Sequence, residues 1–180
     1  MQTLGGHLLI AGAGLVDPNF RRAIVLVGHH DEDGAVGVVL NRPSETSVWE
    51  AVPSLGRLVG PEETVFAGGP VQPQAAVVLA EFERPDDAEI LAFGRVGFVT
   101  GEVESETIER ILRARIFAGY AGWGAGQLEA EMEQNAWIAE PAHPEDVFTN
   151  DPDGLWATIL RRKGGSFALM ATMPFDPSLN

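Results

Sequence analysis

Apolar residues fall in short runs over the first half of the chain and in helix-like spacings only later. HLLIA at 7–11 predicts a strand, and Asp17-Pro18-Asn19 a turn after it, because such side chains bond the local backbone or fix φ. AIVLVG at 23–28 is a continuous apolar run, the pattern of a strand covered on both faces. VGVVL at 36–40 follows across Asp33-Gly34, and two apolar runs around Asp-Gly predict a hairpin. Asn41-Arg42-Pro43 ends that strand, since proline has no N–H for the ladder. A short helix is predicted over 47–52, before Pro53. Further strands are predicted over 64–67, closed by Gly68-Gly69-Pro70, then over 75–82 and 98–102, with an acidic, Pro85-containing loop at 83–89.

The second half switches period. A helix is predicted over 105–115, with Ser105 as N-cap and Ile108, Ile111 and Leu112 on one face. A strand over 115–120 and a glycine-rich turn over 122–126 lead to a helix over 127–134, with Leu128 and Met132 inward and Glu129 and Glu133 outward. A third helix starts with Asp151 as N-cap and Pro152 at its first position, carries Leu155, Trp156, Ile159 and Leu160, and stops at Gly164-Gly165. A last strand is predicted over 167–173. Strands come first, helices are inserted later, and strand and helix do not alternate regularly. The fold class is therefore α+β: a single domain with a mixed, mostly antiparallel sheet and a few packed helices.

Composition narrows the function classes. With 180 residues, 45% of them hydrophobic, the chain can bury one sizeable core. It has no cysteine, which excludes disulfides, thiolate nucleophiles and thiolate metal sites and is compatible with the cytoplasm. The N-terminus does not read as a signal peptide, and the apolar runs are strand length, so no membrane span is expected. A formal net charge of -14 repels phosphate backbones and anionic surfaces, so direct nucleic-acid binding is disfavoured. The compact basic cluster Arg161-Arg162-Lys163 ends a predicted helix, where positive charge suits the helix dipole.

Gly12-Ala13-Gly14 opens like a dinucleotide fingerprint, but the third glycine position holds Asp17, and a strand follows where a helix is required. No phosphate-loop motif occurs either, so no cofactor is expected.

The segments LVDPNFRRAIVLVGHH, DGAVGVVLNRP, VFAGGPV and RIFAGYAGWGAGQLEAEM, with LWATILRRKGG and DPSLN near the end, identify the chain as resembling the YqgE/AlgH family of bacterial proteins. The resemblance covers nearly the whole chain, and GYAGWGAGQLE is its most specific block. It implies one α+β domain with a bifurcated, barrel-like mixed sheet, in the cytoplasm. It implies no established activity or catalytic residue; the family's transcriptional-regulator label names no DNA-binding mechanism. The chain departs from the family by lacking prolines near Gly14 and at Ala125. It also has AVVLA at 76–80 where the family has a histidine-containing sequence, so no role of that histidine carries over to Ala80.

Several groups invite chemistry. His29-His30-Asp31 sits at the expected hairpin tip, but adjacent strand residues face opposite sides, so a shared metal is not expected; His7 and His143 are distant in sequence. No G-x-S-x-G nucleophile elbow occurs, and Ser44, Ser47 and Ser54 lie in ordinary contexts. The stretch Gly119–Gln127 has two readings. It is a helix N-terminus offering N–H groups to an anion, with Tyr120 and Trp123 as a stacking wall and Gln127 as a polar contact. Alternatively it is a tight turn with Trp123 in the core. Asn41-Arg42-Pro43 and Gly68-Gly69-Pro70 end strands, where binding residues concentrate. Arg42 is either an anion contact or a structural group, held in an ion pair or by a hydrogen bond to a carbonyl. The candidate ligand-binding set is Asn41, Arg42, Gly69, Tyr120, Trp123 and Gln127, with no catalytic or metal residue. The glutamates at 102–109 and 129–133 read as solvated faces. These features favour a cytoplasmic, non-enzymatic protein that binds a small ligand or protein partner and regulates indirectly. An enzyme with an unrecognised site and a direct transcriptional regulator are the alternatives.

Overall fold

A computed structural model describes residues 2–12, 15 and 17–173. Ala13 and Gly14 of the glycine motif, and the terminal DPSLN, lie outside the described residues. The elements in chain order are β1 (His7–Ala11), β2 (Ile24–Asp31), β3 (Gly34–Val39), β4 (Pro43–Ser47), α1 (Val48–Ala51), a 3-10 turn (Pro53–Leu58), β5 (Thr64–Ala67) and β6 (Val71–Phe82). After a 3-10 turn (Pro85–Asp87) come β7 (Ile90–Phe93), β8 (Val96–Thr100), α2 (Ser105–Glu109), β9 (Ile111–Gly124), α3 (Gln127–Glu133), β10 (Trp137–Pro141), α4 (Pro144–Val147), α5 (Leu155–Lys163) and α6 (Ser166–Met170).

The main sheet path is β10-β1-β2-β3-β9-β6-β8-β7, all antiparallel, and the chain is the expected single α+β domain. The sheet curls until β7 packs against β2 without ladder hydrogen bonds, which leaves a barrel that is not closed. The fork lies on β9. One edge pairs with β6 from Ile111 to Tyr120; the other takes β5, in parallel, at Phe117 and Ala118 and then β3 from Ala121 to Gly124. The backbones meet closely there. A Cβ on Gly119 would lie 2.5 Å from the Gly69 carbonyl oxygen, and one on Gly69 2.2 Å from the Tyr120 backbone.

The fork divides the apolar residues into separate cores. The barrel interior holds Leu26, Val38, Val77, Leu79, Phe98 and Phe117, extended by Trp156, Ile159 and Leu160 of α5. Behind the β1–β3 sheet, Leu9, Val25, Val27, Trp123, Leu128 and Trp137 form a second core. Val48, Leu55, Val78, Phe82 and Ile116 form a third, under α1. Ser47 caps α1 by accepting the Trp49 N–H, as its place before that predicted helix requires.

The structure corrects several expectations. The helix expected over 105–115 is one turn: α2 stops at Glu109, and Ser105 is inside it rather than capping it. Ile111 and Leu112 instead begin β9, because a long ladder with β6 outweighs local helical spacing. The expected turn over 122–126 shrinks to Ala125-Gly126, since β9 runs to Gly124 to pair with β3. The last strand expected over 167–173 is α6; Gly164 and Gly165, at φ 80° and 59°, turn the chain back so that Phe167 and Met170 pack on the barrel core. Asp151 accepts the Gly154 N–H at 3.1 Å, and the helix proper begins at Leu155. Strands β4, β7 and β10 were not expected. They are short edge or near-edge strands: β4 (PSETS) carries no apolar run, and β7 (ILAF) and β10 (WIAEP) span only four and five residues.

Candidate functional site at the barrel mouth

Two interruptions of strand alternation build the site. In β2, Val27 pairs with Gly37 but His29 pairs with Val36, so Gly28 is the extra residue of a β-bulge. Before it, odd-numbered residues point to the second core; after it, His30 does. In β9, Gly119 at φ 75° does the same. Phe117 faces the barrel interior, yet Tyr120 packs against that core too, while Ala121 and Trp123 turn to the second core. Opposite Gly119, β6 bulges between Val71 and Ala76, with Gln72 at φ 45°. One strand thereby serves two lobes, and Tyr120 is delivered to the barrel interior.

The result is an apolar cleft of about 200 Å³ at the barrel mouth. Gly28, Val38, Val77 and Phe98 form its depth, and Val36, Ile90, Thr100 and Tyr120 its more accessible wall. Every lining residue belongs to a strand, whereas α5 covers the same core over β1, where Trp156 Nε1 donates to the Ala11 carbonyl at 3.1 Å. The bulge at Gly28 admits the Phe98 ring, which a Cβ there would meet at 2.6 Å. The polar groups at the wall are the Tyr120 phenol and the Thr100 hydroxyl, which donates to Glu89 at 2.9 Å. An apolar cleft of this size can hold a small apolar molecule; acid–base chemistry has no group in this lining.

The sequence-predicted residues are not gathered in one place. Tyr120 lines the cleft. Trp123 is buried on the opposite face; its Nε1 donates to Glu131 at 2.6 Å, and Trp137 Nε1 donates to the same oxygen at 3.3 Å. Gln127 is exposed and accepts the Gly124 N–H at 3.0 Å. Gly69 sits at the fork. Asn41 and Arg42 line a separate cleft beyond the far end of β3. Asn41 is buried and fully engaged, accepting the Ile24 N–H and donating to the Arg22 carbonyl, both at 2.9 Å. Arg42 donates to the Asn41 and Arg21 carbonyls. Sequence reasoning missed Val36, Val77, Ile90, Phe98 and Thr100, which carry no signal beyond ordinary strand residues. Gly28, inside an apolar run, was the readable hint of a bulge.

The acidic helix α3 is less solvated than expected. Glu131 holds the two indoles, and Glu129 is drawn to His30. The buried His30 accepts the Leu4 N–H at Nδ1, at 3.0 Å, so its Nε2–H donates to Glu129 at 2.6 Å. His29 is exposed and lies 2.7 Å from Asp31. Backbone hydrogen bonding at the start of α3, followed by the His30 contact, holds the Glu129 carboxyl below the usual range. The Arg110 hydrogen bonds do the same for Asp87, and the His29 hydrogen bond for Asp31. Carboxyls lowered in the folded state stabilise above their unfolded values, near pH 4, and that contribution is lost as pH falls through the folded values. Urea midpoints are therefore expected to fall as pH drops below about 4. Glu129→Gln is expected to show a shallower acid loss than the parent chain.

The overall fold recurs in known proteins. An AlgH-like family model matches residues 8–168. UPF0301 protein SCO2948 of Streptomyces coelicolor is 43% identical over 187 residues, spanning 100% of this chain and 97% of the relative. A UPF0301 protein of Mycobacteroides abscessus is 42% identical, spanning 97% of this chain and 87% of its own. The crystal structure of protein DIP2367 from Corynebacterium diphtheriae aligns with a TM-score of 0.85 at 28% identity, over 96% of this chain and 93% of that one. The solution structure of the AlgH protein from Pseudomonas aeruginosa aligns at 0.71 and 29% identity, over 97% and 98%. The family match across most of the chain, with relatives above 40% identity end to end, makes this protein a member of the AlgH-like UPF0301 family.

Proposed function

We propose that this protein is a non-catalytic, cytoplasmic binding module whose ligand is a small neutral aromatic molecule held in the barrel mouth. The observation that carries the reading is the cleft itself: about 200 Å³, walled by strands and almost wholly apolar, with Tyr120 among its lining residues. An apolar cavity of roughly 150 Å³ suffices to bind benzene, and barrel mouths are recurrent ligand sites. The acidity of the chain argues against direct DNA contact. A regulatory role follows indirectly, through what the occupied form presents to a partner.

Calorimetric titration with indole and phenol tests the reading. Saturable binding is expected. Tyr120→Phe is expected to weaken binding of a hydrogen-bonding probe by about 3- to 10-fold, the equivalent of roughly 1 kcal/mol for one hydrogen bond. Val36→Trp, which places a bulky ring at the wall, is expected to abolish it. Binding unaffected by Val36→Trp would remove the cleft as the site.

A further inference from the structure

The second cleft, about 480 Å³, is bounded by Pro18, Arg21, Asn41, Arg42, Pro43 and Asp153. It lies beyond the C-terminal end of β3, away from the barrel mouth, and shares no lining residue with it. Its walls are held from several sides. Asn41 ties the turn at Arg22 and the start of β2 to the end of β3 through two hydrogen bonds. Pro43 starts β4 opposite Phe66. Asp17 accepts the Asn19 N–H at 2.9 Å through its side chain and the Arg21 N–H at 2.8 Å through its carbonyl, which fixes the turn carrying Pro18.

Arg42 is the informative residue. Its Nη1 donates to the Asn41 carbonyl and its Nη2 to the Arg21 carbonyl. Burial pushes its pKa down from the usual arginine value, and a guanidinium stays charged near neutral pH. Among the described residues no carboxylate forms an ion pair with it. By contrast, Arg110, Arg113, Arg162 and Lys163 each reach a carboxylate. A guanidinium has five N–H donors; the two carbonyls use two and hold the fork in place, which leaves donors for a planar oxyanion. From this carbonyl-pinned guanidinium lining the cleft, we propose that the Asn41–Arg42 cleft is a binding site for a small oxyanion. Asp153 at the same cleft opposes negative charge, so a singly charged carboxylate is favoured over a doubly charged phosphate. The site is independent of the barrel-mouth reading.

The test is an NMR titration of the full chain with sodium acetate and with sodium phosphate. Ionic strength is held constant with sodium chloride, and the Arg42 Nε–H resonance is followed. A saturable shift with acetate, tighter than with phosphate and absent with chloride, is expected. Asp153→Asn is expected to tighten both anions by several-fold and phosphate the more. Arg42→Lys, which keeps the charge but loses the fork, is expected to weaken acetate by about tenfold or more. Phosphate binding tighter than acetate would uphold the oxyanion site and reassign its class to phosphate groups. A linear response equal to that of chloride would overturn the proposal, as would saturation unaltered by Asp153→Asn. Because Asp153→Asn leaves the Arg42 hydrogen bonds in place, the proposal stays testable even if Arg42→Lys does not fold.

Discussion

Gly119→Val is expected to destabilise the fold by about 3–5 kcal/mol, a large share of the stability of a single domain. Two terms add. At φ 75° the residue sits in left-handed backbone, which costs an ordinary side chain about 1–2 kcal/mol and a β-branched one more. Its Cβ would also lie 2.5 Å from the Gly69 carbonyl oxygen, 2.9 Å from Pro73 Cα and 3.0 Å from the Val71 carbonyl oxygen. These are backbone atoms of β6 and of the β5–β6 connection, so relief requires moving the fork itself, at roughly 1–3 kcal/mol for overpacking. The measurement is the urea midpoint by circular dichroism. A loss under about 1 kcal/mol would mean that the fork gives way easily and that Gly119 does not set the parity of β9.

Asn41→Leu is expected to cost about 2–5 kcal/mol. The side chain is buried and supplies one acceptor and one donor to backbone groups of the preceding segment. Leucine matches it in approximate size but orphans the Ile24 N–H and the Arg22 carbonyl, and each unpaired buried group costs about 1–3 kcal/mol. Hydrogen exchange localises the effect: the Ile24 amide is expected to lose protection early, ahead of the rest of β2. If Asn41→Leu left both the midpoint and the Ile24 exchange rate unchanged, the Asn41 bridge would not be holding the wall of the Arg42 cleft.

These two residues show which parts of the molecule were legible in the sequence. The strands β1, β2 and β5 and the hairpin at Asp33-Gly34 follow directly from apolar runs and turn chemistry. So does the single α+β domain. What could not be read is where alternation breaks. Gly119 looks like part of a glycine-rich turn before a helix, and only the β6 ladder reveals it as a mid-strand switch. The consequence is that Tyr120 and Trp123, three apart in one motif, end on opposite faces in different cores. The same holds for His29 and His30: a bulge hinted at only by Gly28 at the end of an apolar run decides which of them is buried. The cleft was hidden for a related reason. Val36, Val77 and Phe98 are ordinary core residues until the sheet curls and leaves one part of its interior without a helix.

The two glycine-directed breaks leave an apolar cup at the barrel mouth, which we propose receives a small neutral aromatic ligand. Intermolecular nuclear Overhauser effects between bound indole and the methyl groups of the full chain test this most directly. The account predicts contacts from indole protons to the Val36, Val38, Val77 and Ile90 methyls and to the Phe98 ring. Saturable binding with contacts confined to another surface, such as the indole cluster of Trp123 and Trp137, would contradict it.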